Sequence, residues 1–265
     1  MNVLITGAGG GLGRVLAAEC ARRGFNLFLT DISAPALEAI KTGITRQYNV
    51  NVQTQICDLT DGGAVREMLD GAQSRGIEFD MLLNVAGGDI EGGFMDRTTE
   101  QISSIVNVNI GATLKITHEA LKRRPRNKRF HIVFVSSLAS LYPMPLKACY
   151  AASKRFLSDF AYALGSELGA TGVTVTSLCP GGLATTDEII TCIDAQGFWG
   201  NLTTNPLEIV ARRTITKALR GRRVYIPGIV NCVLSAAGKL IPRTVIARVI
   251  HSRWQKAQIT RAACA

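Results

Sequence analysis

The sequence has few of the residues that build metal centres or disulfide frameworks. Its seven cysteines are odd in number and widely spaced, without a C-x-x-C pair, and its three histidines (His118, His131 and His251) never cluster. Structural zinc and a disulfide-stapled fold are therefore not expected, and no metal site is predicted. A reducing, cytoplasmic compartment fits this use of cysteine best.

Long apolar runs are also absent. No stretch reaches the roughly 18 consecutive apolar residues that a membrane-spanning helix needs. Met1 to Thr6 enters a strand-like segment without the basic start that a signal peptide would have. With 265 residues, of which 47% are hydrophobic, the chain can nevertheless bury a substantial core. These features predict a globular protein of the size of one large α/β domain.

Acidic residues nearly disappear from the last fifth of the chain. Residues 206–265 hold twelve lysines and arginines against Glu208 alone, whereas residues 1–205 are close to neutral. From Gly228 onward apolar residues recur at helical spacing, which predicts a basic amphipathic tail over 228–265. Three interpretations remain open: docking on the body or a second subunit, peripheral contact with an anionic membrane, and contact with an acyl carrier or coenzyme A. The predicted apolar face consists of Val245, Ile246, Val249, Ile250 and Trp254.

A second basic run, Lys122–Arg129, holds six basic residues in eight. It lies where a predicted helix turns into a strand, at the end of the sheet opposite the carboxyl ends of the strands. The run is therefore not expected to hold a substrate. No aromatic platform or recognition motif accompanies these charges, and nucleic-acid binding is not predicted.

Short apolar strands alternate with helices along most of the chain. This alternation predicts right-handed crossovers and a Rossmann-type, doubly wound parallel α/β sheet with helices on both faces. No internal repeat or linker appears, so we predict one domain over 1–227, with a substrate lid at about 184–205 and the tail beyond it. The seven predicted strands are Asn2–Thr6, Phe25–Thr30, Val50–Cys57, Phe79–Val85, His131–Ser136, Val173–Leu178 and Arg223–Ile226.

Glycines fill the turn between the first strand and the following helix, in the pattern Thr6-Gly7-x-x-x-Gly11-x-Gly13. Such a turn lets the backbone approach a pyrophosphate at the helix N-terminus, which predicts dinucleotide binding.

Aspartates end the second and third predicted strands. Asp31 could accept both hydroxyls of the adenosine ribose and would repel a 2′-phosphate, so NAD is favoured over NADP. Asp58 could accept the adenine amino group. For each aspartate the alternative is a plain N-cap of the helix that follows.

Tyr150 and Lys154 are four residues apart in a helix predicted from Cys149 to Gly169, so they share one helix face. Free tyrosine titrates near pH ~10, and it needs assistance to act as a base at neutral pH. An adjacent ammonium favours the phenolate, which predicts a lowered pKa for Tyr150. Taken alone, the pair is equally typical of an exposed helix with a solvated lysine.

With these residues the chain resembles the short-chain dehydrogenase/reductase family over residues 2 to about 227. Val85 departs from the pattern, since the family more often has asparagine or alanine there. The tail adds a looser similarity to the hydroxysteroid and long-chain 3-oxoacyl reductase branches. In order, the motifs are the glycine turn, Asp58-Leu59, Asn84-Val85-Ala86-Gly87, Asn109, Ser137, Tyr150 with Lys154, and Pro180-Gly181.

The resemblance implies a role for four side chains. Tyr150 would exchange a proton with the substrate oxygen, and Ser137 would hydrogen-bond the same oxygen. Lys154 would bind the nicotinamide ribose and lower the pKa of Tyr150. Asn109 would hold a water that links Lys154 to solvent.

The family pattern also selects between neighbours, favouring Ser137 over Ser136 and Asn109 over Asn107. The residues expected at the cofactor are Gly7, Gly10, Gly11, Leu12, Gly13, Asp31, Ile32, Asp58, Leu59, Asn84, Ala86, Gly87, Tyr150, Lys154, Pro180, Gly181, Leu183 and Thr185. Those expected at the substrate are Ser137, Leu138, Tyr142, Tyr150, Phe198 and Trp199.

The segments after the fifth and sixth strands are apolar and carry no arginine suited to a carboxylate or sugar phosphate. We therefore predict an NAD-dependent oxidoreductase for a secondary alcohol or ketone of a steroid-like or lipid-like molecule. Two alternatives remain: a 3-oxoacyl-ACP or -CoA reductase, against which Asp31 counts, and a non-catalytic NAD(H)-sensing protein. The resemblance also implies a homodimer or homotetramer.

Overall fold

A computed structural model describes residues 1–185 and 198–264, with side chains over 1–185 and 201–254. Most of the predicted lid, and the side chains of Phe198 and Trp199, lie outside the described residues. Within the part described, no helix combines the length and apolarity needed to cross a bilayer.

Seven parallel strands form one sheet in the order β3-β2-β1-β4-β5-β6-β7. The predicted fold class is confirmed, and predicted and observed strand ends differ by at most two residues. The strands alternate with helices because short strand-forming segments of two to six residues are separated by amphipathic segments. They are β1 Asn2–Thr6, β2 Asn26–Asp31, β3 Val52–Ile56, β4 Met81–Asn84, β5 Phe130–Val135, β6 Val173–Leu178 and β7 Val224–Tyr225.

Helices cover both faces of this sheet and enclose two apolar clusters. The first cluster lies under α1, α2 and α8, around Leu16, Leu29 and Ile215. The second lies under α3, α5 and α6, around Phe28 and Phe134. The helices are α1 Gly11–Arg22, α2 Ala34–Gln47, α3 Gly62–Ser74, α4 Thr99–Val106, α5 Thr113–Arg123, α6 Ala148–Leu168, α7 Phe198–Thr203, α8 Leu207–Leu219, α9 Ile229–Ala237 and α10 Arg243–Cys264.

The sequence predicts one continuous helix from Glu100 to Lys122, and the structure interrupts it. A π-helical turn over Asn107–Ala112 separates α4 from α5. Apolar periodicity does not reveal a single π turn, because its i→i+5 pattern extends over only a few residues. The interruption turns Asn109 inward, where it is fully buried.

The C-terminal tail forms two helices and docks on the body through part of its predicted apolar face. Ile246, Ile250 and Trp254 are half-buried, as expected for positions i, i+4 and i+8 on one side of a helix. Val245 and Val249 are instead 45% and 54% exposed, so the prediction of a single five-residue face is wrong for these two. They belong to the neighbouring row, which faces away from the body.

Candidate active site

The strand order reverses between β1 and β4, and ligands of open α/β sheets bind outside the carboxyl ends of the strands at this point. Thr6 holds the two strand ends together, because its Oγ1 accepts the backbone N–H of Val85 (3.0 Å) and of Ala86 (3.2 Å). Gly7 has φ +62°, and a Cβ there would lie 2.6 Å from the Ala86 Cα. The motif threonine and glycine therefore fix the floor of a crevice.

The glycine turn leads into a helix N-terminus that fits a pyrophosphate. Gly10 is the N-cap of α1, no side chain caps the helix, and its first turn contains no acidic residue. Gly10 is exposed, so the unpaired N–H groups of the first turn face the opening. The arrangement can accept the phosphates of a dinucleotide.

Asp31 lies beside this turn at the end of β2. Its Oδ2 accepts the Gly9 N–H (2.8 Å) and its Oδ1 accepts the Ser33 N–H (3.0 Å). Ser33, not Asp31, is the N-cap of α2, since its hydroxyl accepts the Ala36 N–H. The alternative of Asp31 as a helix cap is therefore wrong, and its carboxylate borders the predicted ribose position next to Ile32, which is 73% exposed.

Asp58 is likewise not the cap of the next helix. Asp61 caps α3, as the sequence indicates, by accepting the Gly63 and Ala64 N–H groups. The Asp58 carboxylate is exposed and accepts the Thr60 N–H (2.8 Å) and hydroxyl (2.7 Å), and these bonds lower its pKa. An ionised acceptor at the end of β3 suits an adenine amino group.

Several other residues predicted at the cofactor direct their side chains elsewhere. Leu12, Leu59 and Leu183 pack into or against the two apolar clusters, so only their backbone can face a ligand. Asn84 is buried and donates to the Thr117 hydroxyl (3.1 Å). Thr185 instead packs directly on the glycine turn, where a Cβ at Gly11 would lie 2.6 Å from the Thr185 Cβ.

The four residues with predicted catalytic roles converge beside this crevice. Tyr150 lies close enough to Ser137 for that side chain to lower its pKa, and the Lys154 Nζ lies 5.7 Å from the centre of the Tyr150 ring. Lys154 is buried and donates to the Val135 carbonyl (3.0 Å). Asn109 donates to the Gly88 carbonyl (3.0 Å) and accepts the Gly88 N–H (2.8 Å).

The neighbouring candidates have other surroundings. Ser136 is buried, donates to the Lys154 carbonyl (2.7 Å) and contacts the Ser158 hydroxyl (2.8 Å), so it ties α6 to β5. Asn107 is exposed on the outer side of the π turn. Pro180 accepts the Leu138 N–H (2.7 Å), which anchors the segment that carries Ser137.

Gly87 is the point where these side chains meet the loop after β4. A Cβ at Gly87 would lie 3.0 Å from the Asn109 Oδ1 and 3.1 Å from the Lys154 Nζ. We expect Gly87→Ala to displace the lysine and to lower kcat about tenfold or more, because small misplacements of catalytic groups are costly. Steady-state kinetics measure this effect.

Gly88→Ala is the matched control for that substitution. A Cβ at Gly88 meets nothing within 4 Å, so its rate should stay near that of the wild type. Equal losses in both variants would contradict the assigned contact and indicate that the loop tolerates no side chain at all.

The pKa values of Tyr150 and Lys154 differ from the values that the sequence predicts. The pKa of Tyr150 is raised to about 12, because burial and the Asp89 charge outweigh the hydrogen bond from Ser137. Burial lowers the pKa of Lys154 to about 8. The expectation of a phenol made acidic by Lys154 is therefore wrong for the free protein, since both groups are driven toward their neutral forms.

This burial makes a pH-dependent stability prediction. Between about pH 8 and the ordinary Lys pKa of 10.5, the unfolded chain binds a proton at Lys154 that the folded chain has released. The unfolding free energy of the wild type should therefore rise with pH in this window, by about 3 kcal/mol relative to Lys154→Met. Denaturant unfolding of both proteins at several pH values measures the difference, and a constant difference from pH 7 to 10 would contradict it.

A second lysine, which sequence reasoning missed, lies at the mouth of the site. The Lys147 Nζ contacts the Asp89 carboxylate (2.5 Å) and the Glu91 carboxylate (3.5 Å). The same Nζ lies 5.7 Å from the centre of the Tyr150 ring. It also lies 4.9 Å from the ring centre of Trp254, on the tail. No local motif signals a contact between residues so far apart in sequence.

The predicted substrate residue Tyr142 also contacts the tail. Its ring packs directly against Gly238, and its buried hydroxyl has no hydrogen-bond partner among the residues whose side chains are described. Leu146, just before α6, has φ +66°, a strained conformation for leucine. The tail therefore contacts the side of the site where the sequence predicts the substrate.

Comparisons with known proteins agree with this geometry. The family model described as short chain dehydrogenase matches residues 1–189. A very-long-chain 3-oxoacyl-CoA reductase of Laccaria bicolor is 31% identical over 177 residues, 66% of this chain and 52% of that protein. Hydroxysteroid dehydrogenase-like protein 1 of Gallus gallus is 30% identical over 192 residues, 71% of this chain and 57% of that one.

The chain thus spans about half the length of the curated relatives it matches. Among solved structures, levodione reductase superposes with a TM-score of 0.78 at 20% identity, covering 89% of this chain and 98% of that one. The fold, the ordered motifs and the family model together show that the chain belongs to the short-chain dehydrogenase family.

Proposed function

We propose that the protein is an NAD-dependent oxidoreductase that interconverts a secondary alcohol and a ketone on a hydrophobic molecule. The family to which the chain belongs uses nicotinamide cofactors. The observation that carries the proposal is the grouping of the Ser137, Tyr150 and Lys154 side chains at the switch point of the sheet.

These side chains can handle the proton and the charge of such a reaction. Tyr150 gives a proton to the substrate oxygen during reduction and takes it during oxidation, and Ser137 donates a hydrogen bond to the same oxygen. Lys154 holds the ribose and Asn109 positions the loop carbonyl of Gly88 next to it. When bound, the nicotinamide supplies or accepts the hydride.

The preference for NAD rests on Asp31. Its carboxylate sits against Gly9, within the turn that faces the adenosine half of the cofactor. A negative charge at this position repels the 2′-phosphate of NADP and accepts the 2′-hydroxyl of NAD. Positions 9, 10 and 32 are Gly9, Gly10 and Ile32, so none of them carries a basic side chain that could bind a 2′-phosphate.

The substrate class rests on apolar surroundings and on the tail. Leu138, Tyr142 and Trp254 border the site, and Lys147 is neutralised by two carboxylates rather than left free for an anionic substrate. A 3-oxoacyl thioester is the second candidate, because relatives are named very-long-chain 3-oxoacyl-CoA reductase. We propose that residues 1–227 form the catalytic domain and that the tail borders its substrate cleft.

A screen of the purified protein tests the proposal. Absorbance of the reduced nicotinamide is followed with NAD+ and NADP+ against steroid alcohols, long-chain secondary alcohols and 3-hydroxyacyl thioesters. Turnover of the first two classes with NAD+ is expected, whereas turnover of the thioesters alone would favour the second candidate. Tight NADH binding without turnover of any substrate would instead indicate an NAD(H)-sensing protein.

Members of this family generally form oligomers, and α4 and α6 expose a suitable surface. Val106, Phe156 and Tyr162 are 43%, 40% and 53% exposed on these two helices. We propose that they form the interface of a homodimer or homotetramer. Light scattering should give a dimeric or larger mass for the wild type and a smaller one for Phe156→Asp; a monomeric wild type would contradict this.

A further inference from the structure

The loop between α5 and β5 contains the basic run at the edge of the sheet opposite the active site. Half of its cations are paired. Lys122 and Arg123 both contact the Glu119 carboxylate, and Lys128 contacts Glu78 (3.1 Å). These three charges are already neutralised, which leaves Arg124, Arg126 and Arg129 to account for.

Those three arginines have no carboxylate partner among the residues that the structure describes. Arg124 is the unusual one, because it is only 7% exposed. Its Nη2 donates to the Thr171 hydroxyl (2.9 Å), while its Nη1 is buried and has no partner in the described part of the chain. Burial and the nearby Arg126 charge also lower the pKa of Arg124.

A buried guanidinium without a counter-charge is costly, and such groups are normally paired or hydrogen-bonded. The same three arginines line a surface cavity of about 390 Å³, together with Asn127, Lys128 and the 170–172 turn, and none of the described residues that line it is acidic. An anion held there would contact the exposed Arg126 and Arg129. It would also attract the buried Arg124 guanidinium beneath them, because the distance is short and the effective dielectric constant is low.

We propose that this cavity, bounded by Arg124, Arg126, Arg129 and Thr171, is a binding site for a small phosphate-bearing molecule. Arginine favours phosphate because its fork of N–H donors matches phosphate oxygens. The cavity is shallow and lies between the α5–β5 loop and the turn that follows α6, and its small extent suits a single phosphate group better than an extended polyanion. The site lies at the opposite edge of the sheet from Tyr150 and is independent of the reaction.

Thermal unfolding in inorganic phosphate or pyrophosphate, against acetate at equal ionic strength, tests the site. Phosphate should stabilise the wild type and the exposed-arginine control Arg46→Gln. Arg124→Met should weaken the apparent affinity about 10- to 100-fold. Because it removes an unpaired buried charge, this variant should also be at least as stable as the wild type in acetate, whereas a structural arginine would lower stability when removed.

The double variant Arg126→Gln/Arg129→Gln changes only exposed side chains and should lose the phosphate response while remaining folded. Equal phosphate responses in all variants would place the anion elsewhere, for instance at the N-terminus of α1, and would overturn the proposal. The absence of any stabilisation by phosphate or pyrophosphate would also overturn the proposal. This includes the outcome in which the protein sediments with phosphatidic acid vesicles but is not stabilised by the soluble anions.

Discussion

Replacing Tyr150 with phenylalanine is expected to lower kcat by about 10²- to 10⁴-fold, the range typical of losing a general acid or base. The substitution removes one oxygen, and Ser137, which influences the pKa of that phenol, lies in a loop anchored separately through Leu138 and Pro180. Affinity for the dinucleotide should therefore change little. Steady-state kinetics and NADH binding separate the two effects.

Tyr162→Phe is the matched control for this variant. It lies on the same helix, α6, and is 53% exposed, so its hydroxyl can be removed without effect on the rate. A Tyr150→Phe enzyme that retained more than a tenth of the wild-type kcat would show that another group handles the proton.

Exchanging Asp31 for asparagine is expected to change cofactor preference by about 100-fold in the ratio of kcat/KM for NADP to that for NAD. The carboxylate is placed to repel a 2′-phosphate, and two unit charges about 4 Å apart interact by about 4 kcal/mol at an effective dielectric constant near 20. Asparagine removes this charge and can still accept one of the two backbone N–H groups, from Gly9 or Ser33, that the aspartate accepts.

Asp159→Asn removes a negative charge from the exposed side of α6 and should leave the ratio unchanged. A wild-type protein that already prefers NADP, or an Asp31→Asn variant with an unaltered ratio, would refute the assignment of Asp31. The same measurements distinguish a lost charge from a disturbed turn, since a disturbed turn would weaken both cofactors equally.

Much of the site could be predicted because parallel strands bring their carboxyl ends to one edge. Thr6 and Asp31 end strands and Ser137 follows one, so strand prediction alone places them near one another. Because Tyr150 and Lys154 are four residues apart on α6, their side chains are predicted to lie on the same helix face. Asn109 is different, because it depends on a π turn that no periodicity reveals, and only family resemblance selects it.

What the sequence could not predict depends on burial and on distant contacts. The pKa of Tyr150 follows from how deeply the phenol lies and from the Asp89 charge, and neither is encoded in the Tyr-x-x-x-Lys pattern. The contact between Lys147 and Trp254 joins a loop to the tail across more than a hundred residues. The cap of α2 was equally ambiguous, since Asp31 and Ser33 are both good N-cap residues.

The central claim is that Tyr150 becomes the proton-transferring group of the cofactor-bound site. Ultraviolet difference absorbance of phenolate, wild type minus Tyr150→Phe, measured against pH with and without NAD+, tests it most directly. The free protein should titrate near a pKa of about 12. Bound NAD+ should lower that midpoint by about two pH units or more, because the positive charge of its nicotinamide ring favours the phenolate. A midpoint that NAD+ leaves unchanged would contradict the account.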